Sequence, residues 1–166
     1  MSNYHEIIKN DVANGEGVCV SFFVQGCPHR CEGCFNEETW DFNAGYTYTP
    51  HTKWEIIEAI GANGLERNFC ILGGEPLATQ NIKMTEEVIQ AVRYAYPKIK
   101  IFLWTGYQFE DLINSADKTT QNILDYIDVL IDGPFVESLK NLSLNLRGSS
   151  NQHIYMKNNG KWELKE

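Results

Sequence analysis

Val18-Cys19-Val20-Ser21-Phe22-Phe23-Val24-Gln25-Gly26-Cys27-Pro28-His29-Arg30-Cys31-Glu32-Gly33-Cys34 changes character halfway along. Val18 to Val24 is apolar, with β-branched and aromatic residues, and reads as a buried strand. The run stops at Gln25-Gly26. From there Gly26, Pro28, His29, Arg30, Glu32 and Gly33 make a polar loop that carries Cys27, Cys31 and Cys34. The cysteines therefore follow a strand on a loop, a poor setting for thiols that only fill a core.

The pattern beyond this loop alternates. Thr52 to Asn63 puts Trp54, Ile57 and Ile60 on one helical face behind a threonine cap, and Gly61 and Gly64 mark its end. Phe69 to Leu72 reads as the next strand. Asn81 to Tyr96 carries Met84, Val88, Ala91, Val92 and Ala95 at helical spacing, and Pro97 stops it. Ile99 to Trp104 is a third strand, Phe109 to Ile113 and Ile123 to Tyr126 are shorter helical pieces, and Asp128 to Ile131 is a fourth strand closed by Asp132-Gly133-Pro134. Strand and helix in turn predict an α/β fold with a mainly parallel sheet. Ile154-Tyr155-Met156 and Trp162-Glu163-Leu164, either side of Asn158-Asn159-Gly160, predict a terminal hairpin within 153–165.

No repeat, low-complexity tract or linker divides the 166 residues, so a single domain 1–166 is expected. A closed eight-fold barrel typically takes roughly 250 residues. A chain of this length builds at most a partial, open barrel. The formal charge of -8 gives no electrostatic reason to bind nucleic acid. Met-Ser-Asn-Tyr-His-Glu lacks the basic flank and apolar run of a secretory signal, and no apolar stretch approaches the ~18 residues of a membrane span. A cytoplasmic protein is expected, without a membrane partner. Five cysteines, three of them crowded together, argue in a reducing compartment for metal or catalysis over disulfides. Cys19 and Cys70 stand apart.

Three thiols within eight residues suit one face of an iron-sulfur cubane, because iron-sulfur clusters favour soft, charge-donating thiolates. Three cysteines on four irons leave one iron open, which a substrate-binding cluster requires. The same residues are also compatible with a structural zinc whose fourth ligand is His29 or Cys19. Closed zinc sites more often use paired Cys-x2-Cys knuckles, and His29 lies between two ligands, where its ring cannot easily share their metal. Gly73-Gly74-Glu75-Pro76 follows the second strand. Two glycines there allow close approach of the backbone to a ligand, with main-chain carbonyls and Glu75 offered to a cationic amine. Thr105 and Gly106 end the third strand, where ligands bind in open α/β sheets. Asp132 and Gly133 read either as a strand-ending turn or as a cofactor contact.

Cys-x3-Cys-x2-Cys after one strand and Gly-Gly-Glu-Pro after the next resemble the radical S-adenosylmethionine superfamily. The run Gly26 to Asn36 with Thr39-Trp40 resembles its branch of activating proteins for the anaerobic ribonucleoside-triphosphate reductase. Trp104-Thr105-Gly106-Tyr107, Asp128 to Gly133 and Leu146 to Gln152 are similar to that branch too, so the resemblance runs from about Asn14 to Gln152. Many superfamily members carry an aromatic residue just before the third cysteine; here Gly33 stands there and Phe35 follows the cysteine, as in the activating-protein branch.

The resemblance implies a partial, open barrel of the radical S-adenosylmethionine type, with a 4Fe-4S cluster on Cys27, Cys31 and Cys34. It also implies S-adenosylmethionine whose methionyl amine meets Gly73, Gly74 and Glu75. Gly33, Cys34 and Phe35 would lie beside the nucleoside, Thr105 and Gly106 at its ribose or adenine side, and Asp132 would be a further cofactor contact. Reductive cleavage would then yield a 5'-deoxyadenosyl radical that takes a hydrogen atom from a glycine of the reductase large subunit. A flavodoxin-like or ferredoxin-like protein would donate the electron. Arg147 to Gln152 would lie near the site or the partner. Other readings share the cysteines: another glycyl-radical activase, a 7-carboxy-7-deazaguanine synthase-like enzyme with its own closed pocket, or a non-enzymatic zinc or iron-sulfur interaction module. Trp40, Trp54, Trp104 and Trp162 are expected in packed positions. Glu37, Glu38 and Asp41 form either a solvated face or a contact with a basic partner.

Overall fold

A computed structural model describes residues 2–166. In chain order the elements are β1 (Asn3–Asp11), β2 (Cys19–Val24), β3 (Tyr46–Thr47), α1 (Pro50–Ile60), β4 (Asn68–Gly73), α2 (Ile82–Ala95), β5 (Ile101–Trp104), α3 (Phe109–Ile113), α4 (Lys118–Tyr126), β6 (Val129–Asp132), β7 (His153–Asn158) and β8 (Lys161–Leu164). All eight strands join one sheet, in the order β3-β1-β2-β4-β5-β6-β7-β8. The central four, β2, β4, β5 and β6, run parallel. Antiparallel strands extend the sheet on both sides, β1 and β3 at one flank and the β7–β8 hairpin at the other. The parallel centre agrees with the alternation read from the sequence.

β1 and β3 were not foreseen. Register shifts between Tyr4 and Glu6 and between Ile8 and Asp11 break the two-residue period of β1, and β3 is only two residues long. Pairing with β2, not local pattern, makes them strands.

Side chains of the central strands alternate between two cores. Val20, Phe22, Val24, Phe69, Ile71, Ile101, Leu103 and Leu130 pack with Ile56, Ile60, Met84, Val88, Ile89, Val92, Leu112 and Ile123 from the four helices. Each such large side chain, fully buried, contributes roughly 1.5–3 kcal/mol. The opposite residues, Cys19, Phe23, Cys70, Leu72, Phe102, Val129 and Ile131, form a second core with Ile154, and no helical residue among those described enters it. Helices thus cover one face of the sheet only.

α1 begins earlier than its sequence suggests. Thr49 is its cap: Thr52 N donates to Thr49 Oγ1 (3.4 Å) and Thr49 N donates to Thr52 Oγ1 (3.1 Å), with Pro50 opening the helix. The buried face is Thr52, Ile56, Ala59 and Ile60, whereas Trp54 is 55% exposed and stacks on His51. Trp54 is therefore a surface residue, while Trp40, Trp104 and Trp162 are partly buried. α2 buries Met84, Val88 and Val92 as expected and adds Ile89, which leaves Ala95 exposed. No helix of the described residues is long and apolar enough to cross a membrane.

Candidate metal centre and cofactor cavity

Parallel strands end on a common edge, so the segments after β2, β4, β5 and β6 emerge side by side. They meet around a cavity of about 480 Å³. Cys27, His29, Cys31, Cys34 and Phe35 reach it from the first segment, Gly73, Gly74 and Glu75 from the second, Trp104, Thr105 and Gly106 from the third, and Gly133, Pro134 and Phe135 from the fourth. Phe23 and Leu72 of the helix-free core line it as well.

The cysteine loop is fixed at its root by the main chain. Gly26 N donates to Thr39 O (2.6 Å) and Cys27 N to Trp40 O (3.1 Å), while the buried Gln25 donates through Nε2 to the carbonyls of Glu38 (3.0 Å) and Asp41 (2.8 Å). Glu37, Glu38 and Asp41 keep exposed side chains in this segment. The Gly73-Gly74-Glu75 turn is joined to the same root. Gly74 N donates to Val24 O (2.9 Å) and Glu75 N to Gly26 O (2.8 Å). Asn81, 1% exposed, sends Nδ2 to the carbonyls of Gln25, Gly26 and Glu75 at 3.0–3.3 Å. A Cβ on Gly74 would lie 2.4 Å from the Gly26 carbonyl oxygen, so only glycine permits this approach.

Glu75 is 1% exposed, and both its carboxylate oxygens are engaged. Oε2 accepts from Leu77 N (2.9 Å) and Thr105 Oγ1 (2.8 Å); Oε1 accepts from Gly106 N (2.7 Å) and His29 Nε2 (2.7 Å). A carboxylate with four such partners is a firm anchor, since hydrogen bonds to a charged acceptor are the strong ones. It fastens together the segments after β2, β4 and β5.

Burial pushes the Cys27 thiol up to about 11, reinforced by the charges of Glu75 and Cys31 and opposed by the backbone N–H groups of His29 and Arg30. Burial raises Cys31 as well, with Cys34 and Glu75 adding to the effect. In the metal-free protein these two are neutral thiols at neutral pH, and metal loading must displace their protons.

The donor set fits an iron-sulfur cluster better than a closed zinc site. All three thiols are free and line one cavity, but among the described residues no three His, Cys, Asp or Glu side chains gather as ligands of a single metal ion. A cubane presents its irons at separate corners, so its ligands need not converge on a point. Of the two candidates for a fourth zinc ligand, Cys19 is fully buried in the second core, bonded to Glu16 O (3.3 Å), and His29 turns Nε2 to Glu75. Cys19 and Cys70 lie in contact there, and their interaction pushes the Cys70 thiol well above its ordinary range.

Six of the eight residues expected to contact the cofactor line the cavity: Cys34, Phe35, Gly73, Gly74, Glu75 and Thr105. Gly33 and Asp132 do not. Gly33 lies against the Glu137 side chain, and the buried Asp132 accepts from Phe109 N (2.8 Å), His153 N (3.1 Å) and His153 Nδ1 (3.1 Å), so it ties β6 to α3 and β7. The Arg147 to Gln152 segment folds over the fourth loop. Gln152 donates through Nε2 to Gly133 O (2.9 Å) and accepts Gly148 N (2.9 Å), while Trp104 Nε1 donates to Leu146 O (2.8 Å). The sequence reading missed Asn81, Gln25 and Phe135. Asn81 had only a helix-start signal, and nothing local marks the other two.

A family model described as a 4Fe-4S single cluster domain matches residues 13–155, a span that takes in every strand from β2 to β6 and all the cavity loops. The chain is 38% identical over 154 residues to the anaerobic ribonucleoside-triphosphate reductase-activating protein of Escherichia coli (strain K12), covering 92% of this chain and 97% of that one. The chain belongs to this family of activating proteins. The Vibrio cholerae (El Tor Inaba N16961) protein of the same name is 37% identical over the same shares, and that of Enterobacteria phage T4 is 35% identical over 161 residues, 97% of this chain and 98% of its own. Each of these alignments covers nearly the whole of both chains.

Proposed function

We propose that this activating protein holds a 4Fe-4S cluster on Cys27, Cys31 and Cys34, cleaves S-adenosylmethionine to 5'-deoxyadenosine, and thereby generates a glycyl radical on the anaerobic ribonucleoside-triphosphate reductase. The observation that carries the reading is the convergence on one cavity of three free thiols and the Gly73-Gly74-Glu75 turn, whose main chain is bonded to the root of the cysteine loop. When bound, the cluster supplies the one-electron reduction that opens the sulfonium; the chain supplies position, electrostatics and exclusion of water.

The turn at Gly73 and Gly74 brings main chain close enough to receive the methionyl amine, and the Glu75 carboxylate places negative charge behind it. Phe35 and Phe135, with ring centroids 5.1 Å apart, offer an apolar pair to the nucleoside. Thr105 and Gly106 take the ribose or adenine side. Gly33 and Asp132 act from behind the cavity wall, Gly33 by letting the loop approach Glu137 and Asp132 by holding β6 to its neighbours.

The chain is read as a single radical S-adenosylmethionine domain and the sheet as a partial, open barrel. Support for this comes from helices on one face only and a cavity on the other. An open side admits a glycine loop of the reductase large subunit. A flavodoxin-like or ferredoxin-like protein serves as electron donor, and the five free cysteines suit a reducing cytoplasm.

The test is anaerobic reconstitution of wild type and Cys31→Ala with iron and sulfide, then incubation with dithionite and S-adenosylmethionine. Wild type alone should form 5'-deoxyadenosine, and adding reductase should give a glycyl radical signal. Tight zinc binding with no 5'-deoxyadenosine from either protein would sink the reading.

A further inference from the structure

Between Cys27 and Cys31 the chain is Pro28-His29-Arg30. Pro28 and Arg30 are exposed, whereas the His29 side chain is only 19% exposed. Its Nε2 lies 2.7 Å from Glu75 Oε1, and its ring meets Tyr107 edge-on at 4.7 Å. It also rests on Gly106, where a Cβ would come within 2.5 Å of the imidazole. While the Phe135 backbone meets the Cys31 thiol from the fourth segment, His29 is the side chain that hydrogen-bonds the 27–34 loop to the Glu75 segment. Its acceptor is the carboxylate already fixed by Leu77 N, Thr105 Oγ1 and Gly106 N.

We propose that His29 is a positioning residue: its bond to Glu75 fastens the far side of the cysteine loop to the cofactor shelf before S-adenosylmethionine binds. The proposal rests on the cluster and cofactor reading given above. Without this bond the loop is held at its root, by Gly26 N, Gly26 O and Cys27 N, while Cys31 and Cys34 lie beyond. S-adenosylmethionine has to meet the open iron and the Gly73-Gly74 turn together, so the loop's place relative to the turn decides how well both ends are satisfied. A misplacement of about 1 Å can cost as much as about a hundredfold in such sites.

Wild type, His29→Ala and His29→Gln are compared in two states. In the iron-free proteins, hydrogen exchange of the 27–34 amides reports the tie without any cofactor. After anaerobic reconstitution, iron and sulfide content, the S-adenosylmethionine dissociation constant and the electron paramagnetic resonance change on adding S-adenosylmethionine report its consequence. We expect His29→Ala to keep wild-type iron and sulfide, to exchange its loop amides at least about tenfold faster, and to bind S-adenosylmethionine about tenfold more weakly with a reduced spectral change. His29→Gln, which retains a donor, should recover most of both effects. Should His29→Ala not fold, His29→Phe, which keeps the ring and removes the donor, takes its place: faster loop exchange with weaker cofactor binding than wild type supports the tie, and wild-type values for both overturn it. Wild-type exchange and cofactor affinity in His29→Ala would overturn the proposal; so would a folded His29→Ala that cannot hold iron, or a glutamine variant no better than alanine. A wild-type protein that holds no cluster would defeat the functional reading instead, and the iron-free exchange data would still decide the tie.

Discussion

The two faces of the sheet are built from the same four parallel strands and do opposite things. On one, Phe22, Phe69, Ile71, Ile101, Leu103 and Leu130 are sealed beneath helices. On the other, Phe23, Leu72 and Trp104 run up to the wall of the cavity that carries the cysteines. Residues one position apart, such as Phe22 and Phe23, therefore face the helix-covered core and the cavity respectively, because strand side chains alternate. The covered face can be read as a core like any other. The open face has meaning only together with the loops at its edge.

Substitutions should separate the two faces. The largest effect is expected at the cavity: Cys34→Ser should lose the cluster and all 5'-deoxyadenosine formation, while the iron-free protein melts close to wild type, as calorimetry would show. Phe22→Ala, on the covered face, should lower stability by about 3–5 kcal/mol in urea titration, with S-adenosylmethionine cleavage per folded, cluster-loaded molecule nearly unchanged. If Phe22→Ala instead abolished cleavage at a temperature where it is folded, the division between faces would fail.

Asn81 joins the two regions, and Asn81→Ala should do both kinds of damage. It removes the Asn81 donor from the Gln25 carbonyl, at a cost of about 1–3 kcal/mol, and leaves the glycine turn tied to the root of the cysteine loop by main-chain bonds alone, so cofactor affinity should fall along with the urea midpoint. A change in only one of these would place Asn81 in one region alone. The smallest effect concerns pH. Burial lifts Cys27 from an ordinary 9.0 to about 11, so the folded iron-free protein keeps a proton that the unfolded chain has already lost. Stability is intact below pH 9 and falls as the pH rises toward about 11; Cys31 acts in the same direction. Cys27→Ala should flatten that decline, measured as the difference between wild-type and variant melting curves across this range.

Much of this was legible locally. β2, β4, β5 and β6 are short apolar runs with turn residues behind them, α3 matches its sequence bounds, and Asn158-Asn159-Gly160 announces the hairpin between β7 and β8. What failed had non-local causes. Bulges hide the period of β1. Trp54 has the composition of a core residue, but the helix turns Ile56 and Ala59 inward instead. Asp132 read either as a strand-ending turn or as a cofactor contact; what its sequence position does not show is that its carboxylate meets Phe109 and His153, partners 23 and 21 residues away.

Sequence alone determined that three thiols sit on a loop after a strand and that a glycine turn follows the next parallel strand, because residue type and spacing dictate strand, loop and soft-ligand chemistry without reference to the rest of the chain. Only the tertiary structure decided that these two loops are bonded to each other through Gly26, Glu75 and Asn81, that the Glu75 carboxylate is held by Leu77, Thr105, Gly106 and His29, and that one face of the sheet stays free of helices. Those contacts join residues up to 56 positions apart, and no local pattern records which strand ends become neighbours.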